Sequence, residues 1–177
     1  MTLNNKPERI QKVYKSINKP LIISCLIVFS LIFGNSSYAQ HKKYTSKDMP
    51  GAVIQSFNNT YPDAQAVGYD IEKEHGNKYY EIESKEGSIK RDILFKEDGT
   101  IQEVEESMSV SDLPPDAVNS IESKYPGGKI TNAETITKGS ETFYEVIVKT
   151  KKKKYEVQVK ADGMIINDEN GNEEDEN

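Results

Sequence analysis

The chain has 177 residues and a formal net charge of −6, from 29 acidic and 23 basic residues. An acidic chain is a poor candidate for binding nucleic acid or anionic lipid, because their phosphates repel it. Its length suits one ordinary domain, or two small ones that share a core.

The first 39 residues follow the order of a secretory signal peptide. Basic residues precede an apolar run at residues 21–33, and Ser37-Tyr38-Ala39 puts small residues at the −3 and −1 positions of a cleavage site. The run is shorter than the roughly 20 residues that a membrane-spanning helix needs. We therefore predict cleavage after Ala39 and a periplasmic or secreted protein. An uncleaved anchor and lipidation of Cys25 are the alternatives.

Removal of this leader changes both charge and chemistry. The leader carries five basic residues and one acidic residue, so the remaining chain has a net charge of −10. Cys25 is the only cysteine and lies in the leader. Disulfides, thiol catalysis and cysteine-ligated metal sites are therefore excluded from the remainder. Its acidity favours solubility or a basic partner.

One stretch of the remaining sequence occurs twice. Three dipeptide landmarks recur at a constant offset of 64 residues, namely Tyr61-Pro62 as Tyr125-Pro126, Tyr80-Glu81 as Tyr144-Glu145, and Asp98-Gly99 as Asp162-Gly163. A constant offset means that the copies align without a gap. The sequence therefore indicates a tandem duplication of one small module.

Each copy begins with a predicted helix. In the first copy Asp48 can cap the helix and Pro50 suits its first turn. An apolar stripe follows at helical spacing, formed by Val53, Ile54, Phe57 and Tyr61. Pro62 ends the helix, because a proline disfavours helical backbone at the residue before it.

After each helix the apolar residues alternate with polar ones, which is typical of strands. We predict four strands in each copy, at about 66–72, around 80–82, 89–95 and around 101–104 in the first, and at about 129–137, 142–149, 153–160 and 164–167 in the second. Asp98-Gly99 is a strong hairpin signal, since glycine accepts the positive φ of tight turns.

The predicted fold class is α+β, a tandem repeat of one helix followed by a four-stranded antiparallel sheet, with the helix packed on one sheet face. The predicted divisions are a signal peptide (1–39), a flexible lead-in (40–48), a first module (49–106), a linker (107–112), a second module (113–168) and a disordered acidic tail (169–177).

A search for chemistry finds no catalytic pattern. His41 and His75 lie in stretches predicted to be mobile, and neither has a partner at metal-ligand spacing. Carboxylates are abundant, so a carboxylate-based enzyme stays open as an alternative, although solvated strand faces account for them more simply. We predict that the protein is not an enzyme and uses no cofactor or metal.

The order of these motifs resembles the PepSY-like domain family, which is also described as similar to the β-lactamase inhibitory protein. The resemblance covers nearly all of residues 49–168 in both copies, and it rests on the proline helix start, the Tyr-Pro helix end, the Tyr-Glu strand and the Asp-Gly turn. It implies secreted or periplasmic, non-enzymatic modules, binding through a concave sheet surface, and a link to the restraint of peptidases. Unlike the inhibitory protein, the chain after the leader lacks cysteine and tryptophan.

These observations predict a non-enzymatic binding module, or a protein (peptidase-type) inhibitor, that uses the exposed sheet face. Alternation places Tyr80 and Tyr144 toward the helices, so Tyr79 and Phe143 point outward, with Tyr69 as a neighbour. We predict that Tyr69, Tyr79 and Phe143 contact an envelope or extracellular protein. Cross-strand packing on a solvated face would explain the same rings. The alternative function is an acidic, cation-binding envelope protein.

Overall fold

The computed structural model describes residues 43–74 and 76–173. The predicted signal peptide, its cleavage site, His41 and His75 lie outside the described residues. Two helices and eight strands follow one another in chain order, α1 (Gly51–Thr60), β1 (Gln65–Glu74), β2 (Asn77–Glu86), β3 (Ile89–Phe95), β4 (Ile101–Met108), α2 (Pro115–Lys124), β5 (Lys129–Lys138), β6 (Glu141–Lys149), β7 (Lys153–Val159) and β8 (Ile165–Glu173).

The eight described strands form a single antiparallel sheet in the order β1 to β8. Strand β4 pairs with β5, from Val104 opposite Thr137 to Met108 opposite Ala133. The predicted α+β tandem repeat, with a separate four-stranded sheet for each helix, is therefore wrong, and the fold is mostly β. Two separate sheets would leave the edges of β4 and β5 with unpaired N–H and C=O groups, and their pairing satisfies these groups.

Both helices begin at prolines and end before Tyr-Pro. Pro50 precedes the first residue of α1, and its carbonyl accepts hydrogen bonds from the N–H groups of Val53 and Ile54. Asp48 does not cap α1. It closes a capping box with Thr45 around a short 3-10 helix, Ser46–Asp48.

The two helices cover the same face of the sheet. The buried side chains of α1 pack on strands β2 and β3, with Val104 of β4 beside them. Those of α2 pack on strands β5 to β7, with Met108 of β4 beside them. Val104 and Met108 are four residues apart on one strand, so they point to the same side. The core is therefore one layer between two helices and one sheet face.

The two Asp-Gly turns lie directly against the helices. Gly99 and Gly163 have φ angles of +81° and +84°. A Cβ atom at Gly99 would lie 2.6 Å from the carbonyl oxygen of Ala52, and one at Gly163 would lie 2.7 Å from that of Asp116. Each turn is thus shaped by its aspartate and glycine and fitted against the first turn of a helix.

Several residues outside the predicted modules belong to regular structure. Strand β4 runs to Met108, and a 3-10 helix, Val110–Asp112, occupies part of the predicted linker. Strand β8 ends at Glu173, so it includes the first part of the predicted acidic tail. Residues 174–177 lie outside the described residues, and the predicted domain boundaries stay predictions.

Candidate functional site

The sheet face turned away from the helices carries the candidate site, and we call it the far face. Strand register places on it the residues that alternate with the core, which on the central strands are Tyr79, Glu81, Glu83, Asp92, Leu94, Glu103, Glu105, Glu134, Ile136, Phe143, Glu145, Ile147, Glu156 and Gln158. Neither described helix packs on this face. Its composition is apolar and acidic side chains in alternation.

The three predicted contact residues do not lie together. Tyr79 and Phe143 are on the far face, on strands β2 and β6. Tyr69 is opposite Ile82 and packs beside the core under α1, so it lies on the other face. The structure therefore brings two of the three to one surface, and their role in binding stays a prediction.

A β-bulge explains the position of Tyr69. The register of β1 against β2 shifts between Ala66 and Gly68, which leaves Val67 as the extra residue. Val67 is about half exposed, whereas Ala66 and Tyr69 both pack beside the core. Simple alternation through Val67 and Tyr69 therefore does not describe this strand.

The two far-face rings are less exposed than their outward position predicts. Tyr79 and Phe143 are each 8 % exposed. Phe143 lies opposite Ile136 on β5, and the side chain of Ile136 is completely buried. A substitution at either ring is therefore expected to affect stability as well as any contact with a partner.

Two rows of carboxylates cross the far face. In the first row Glu83 of β2, Asp92 of β3 and Glu105 of β4 are direct cross-strand neighbours. In the second row Glu134 of β5 is opposite Glu145 of β6, which is opposite Gln158 of β7. Directly opposite like charges destabilise a sheet, so the ionised form of these groups is disfavoured.

Burial raises the pKa of several of these carboxyl groups. The pKa of Asp92 rises to about 7, through burial and then the charge of Glu83, against a smaller opposing effect of Lys90. The pKa of Glu145 rises to about 8, through burial and then the charge of Glu156. Burial, followed by the charge of Glu72, raises the pKa of Glu81 to about 9. Far-face carboxyl groups thus hold protons near neutral pH.

Specific contacts order part of the two rows. Lys138 Nζ lies 2.9 Å from Glu103 Oε2. Gln158 Nε2 donates a hydrogen bond of 2.9 Å to Glu145 Oε2. At the bulge, a Cβ on Gly68 would lie 2.5 Å from Glu83 Oε2, so the glycine makes room for that carboxylate.

Sequence reasoning placed these glutamates on a solvated face and missed their burial. The available signal was the alternation itself, because Glu81 and Glu83 lie between the core residues Tyr80, Ile82 and Ser84. Within residues 43–74 and 76–173, no group of three or more His, Cys, Asp or Glu side chains is placed to hold a metal ion. No helix in this part of the chain is long and apolar enough to cross a membrane.

Raising the pH from about 5 to about 8 is expected to lower the melting temperature of the protein. Between their ordinary pKa values near 4 and the raised values of Asp92 and Glu145, the folded state binds more protons than the unfolded state. Stability therefore falls as the pH rises through this window. Thermal melts in a series of buffers measure the effect.

Asp92→Asn isolates one contributor, because an amide cannot titrate. Its melting temperature should change less between the two pH limits than that of the wild type. Asp116→Asn on the exposed side of α2 is the matched control, and its pH profile should parallel the wild type. Equal slopes for wild type and Asp92→Asn would contradict the prediction.

Comparison with known proteins defines the class of this chain. It belongs to the family described as "Putative beta-lactamase-inhibitor-like, PepSY-like", which matches residues 36–103 and 78–172. The resemblance seen in the sequence is therefore confirmed. A comparison with curated proteins found no match.

Solved structures share the fold at low sequence identity. A "putative periplasmic protein" from Bacteroides eggerthii is 15 % identical, with a TM-score of 0.58, and the match covers 69 % of this chain and 88 % of that one. A BLIP-like protein from Bacteroides fragilis is 19 % identical, with a TM-score of 0.55, and the match covers 73 % and 92 %. A DUF2874 family protein from Bacteroides uniformis is 19 % identical, with a TM-score of 0.58, over 68 % and 88 %.

Proposed function

We propose that this protein is an exported, non-enzymatic binding protein that uses the far face of its sheet to bind another protein. The observation that carries the proposal is the position of Tyr79 and Phe143 on one face of a continuous sheet, away from both helices. The family description and the leader-like first 39 residues support a periplasmic or secreted location, as does the description of the Bacteroides eggerthii neighbour.

The size of the face favours a protein partner over a small ligand. Strands β2 and β6 are four strand spacings apart, which is about 19 Å at about 4.8 Å for each spacing. A small molecule in a pocket does not reach across such a distance, whereas a standard protein interface buries about 800 Å² on each partner. Aromatic rings at both ends of such a face are suitable anchors.

The finer form of the proposal is inhibition of a peptidase-type enzyme. The family description names inhibitor-like proteins. Every strand from β2 to β7 is paired on both sides, so the backbone of the far face offers no unpaired extended segment for a protease to cleave. A partner enzyme held on this face would meet side chains only.

Replacing both rings, as Tyr79→Leu with Phe143→Leu, is expected to reduce capture of the partner from an envelope extract at least tenfold. Leucine keeps apolar volume under the face, so the fold should survive the change, while the aromatic contact is lost. Immobilised wild type and variant are compared by mass spectrometry of the retained proteins, and inhibition is scored by the peptidase activity of the retained fraction with and without added protein.

Val67→Ala with Met164→Ala is the matched control, because these two side chains are the large apolar ones that stand about half exposed in the described chain. This variant should retain the same proteins as the wild type. If the ring variant keeps its melting transition and still captures the same proteins, the far face is not the binding surface. A ring variant that has lost its melting transition would show instead that the rings serve the fold.

A further inference from the structure

We propose that the partner of the far face is cationic, a protein segment in which Lys or Arg side chains are interleaved with apolar ones. This inference rests on the proposed function, since it names the chemistry of the protein that the far face binds. It is carried by the charge of the face, by one buried hydrogen-bond acceptor, and by the apolar residues between the carboxylates.

The carboxylate rows are the first step of the argument. Glu83, Asp92 and Glu105 are in register on three adjacent strands, with Cβ atoms about 5 Å apart. Lys138 is paired with Glu103, and Lys90 offsets only part of the effect of burial on Asp92. The row thus keeps an excess of negative charge that a cationic side chain would neutralise.

A buried amide oxygen is an independent second step. Gln158 is 5 % exposed, and its Nε2 hydrogen bond to Glu145 fixes which way the amide points. Its Oε1 atom then has no hydrogen-bond partner within the described part of the chain. Buried acceptors are ordinarily satisfied, so this position calls for an N–H donor, which an ammonium or guanidinium group supplies.

The apolar side chains of the far face decide between a protein segment and a bare metal ion. Ile136 lies in register beside Glu105, and Phe143 lies beside Ile136. The aliphatic stem of a Lys or Arg side chain packs along such residues while its charged end meets the carboxylate. A guanidinium also stacks on an aromatic ring. A metal ion uses none of these contacts.

Binding of a 12-residue peptide of alternating Lys and Leu, measured by calorimetry, tests the inference. The purified wild-type protein should bind this peptide at low salt and bind a peptide of alternating Glu and Leu at least a hundredfold more weakly. Asp92→Asn with Glu105→Gln should weaken binding of the Lys–Leu peptide at least tenfold. Both substitutions remove buried charge, so they are compatible with folding.

Asp116→Asn with Glu122→Gln is the matched control, because it makes the same change in net charge on the exposed surface of α2. Its affinity for the Lys–Leu peptide should stay within twofold of the wild type. Equal weakening in both variants would show general attraction to an acidic protein and would overturn the inference. So would an absence of peptide binding together with calcium binding by the far face.

The two proposals fail separately. If the ring variant loses the envelope partner while Asp92→Asn with Glu105→Gln retains it, the far face binds a protein but does not select a cationic one. If the charge variant alone loses the Lys–Leu peptide and the ring variant keeps its envelope partner, the cationic site stands and the aromatic contact does not. Both variants losing the envelope partner supports the two proposals together.

Discussion

Phe57→Ala is expected to destabilise the protein by about 3–5 kcal/mol, and Ile121→Ala by about 2–5 kcal/mol. The two residues occupy equivalent positions, one on each helix, and are 3 % and 1 % exposed. Phe57 packs in the core under α1 and lies 6.0 Å from the ring of Tyr61. Ile121 packs in the core under α2. Truncation of either leaves a cavity that the close-packed layer cannot fill.

Chemical denaturation measures these losses as a lower midpoint with an unchanged slope. Asn58→Ala and Glu122→Ala are the matched controls, because they shorten exposed residues that are sequence neighbours of the two core residues. The controls should stay within about half a kcal/mol of the wild type. Losses below about half a kcal/mol for both core substitutions would mean that the helical stripes are not buried as described.

Gly163→Ala is expected to cost about 2 kcal/mol or more, for two reasons that act together. The φ angle of +84° strains any residue with a Cβ atom. The added Cβ would also lie 2.7 Å from the carbonyl oxygen of Asp116 and closer still to Ser120 Oγ. The turn would have to move away from α2, and the contact between turn and helix would open.

Gly139→Ala separates strain from crowding. Gly139 also has a positive φ, of +59°, but a Cβ there would meet nothing within 4 Å. Its loss of stability should therefore reflect the backbone alone, about 1 kcal/mol. Thermal or urea melts of the two variants give the comparison. Equal losses would show that the Asp-Gly turn does not depend on its fit against the helix.

Much of the local structure could be predicted because it depends on local patterns. The helix ends before Tyr61 and Tyr125 follow from the proline after each tyrosine. The period of two along β2 and β6 placed Tyr80 and Tyr144 toward the helices and Tyr79 and Phe143 away from them, as the register shows. These features need no knowledge of distant contacts.

The features that could not be predicted depend on contacts far apart in the sequence. Pairing of β4 with β5 joins strands that each looked like the edge of a separate sheet. The bulge at Val67 shifts one strand by a residue and moves Tyr69 to the helix side. Burial of Glu81 and Glu145 on the far face is a tertiary property, which a pattern of alternating charge does not reveal.

The ladder between β4 and β5 has a mechanical consequence for recognition. The separation of Tyr79 from Phe143 is held by backbone hydrogen bonds across five adjacent strands, rather than by a hinge or a flexible tether. A partner that has engaged one ring meets the other at a fixed distance, at a high effective concentration. The ordering entropy of the surface is spent when the chain folds, so preorganisation favours slow dissociation of a partner that spans both rings.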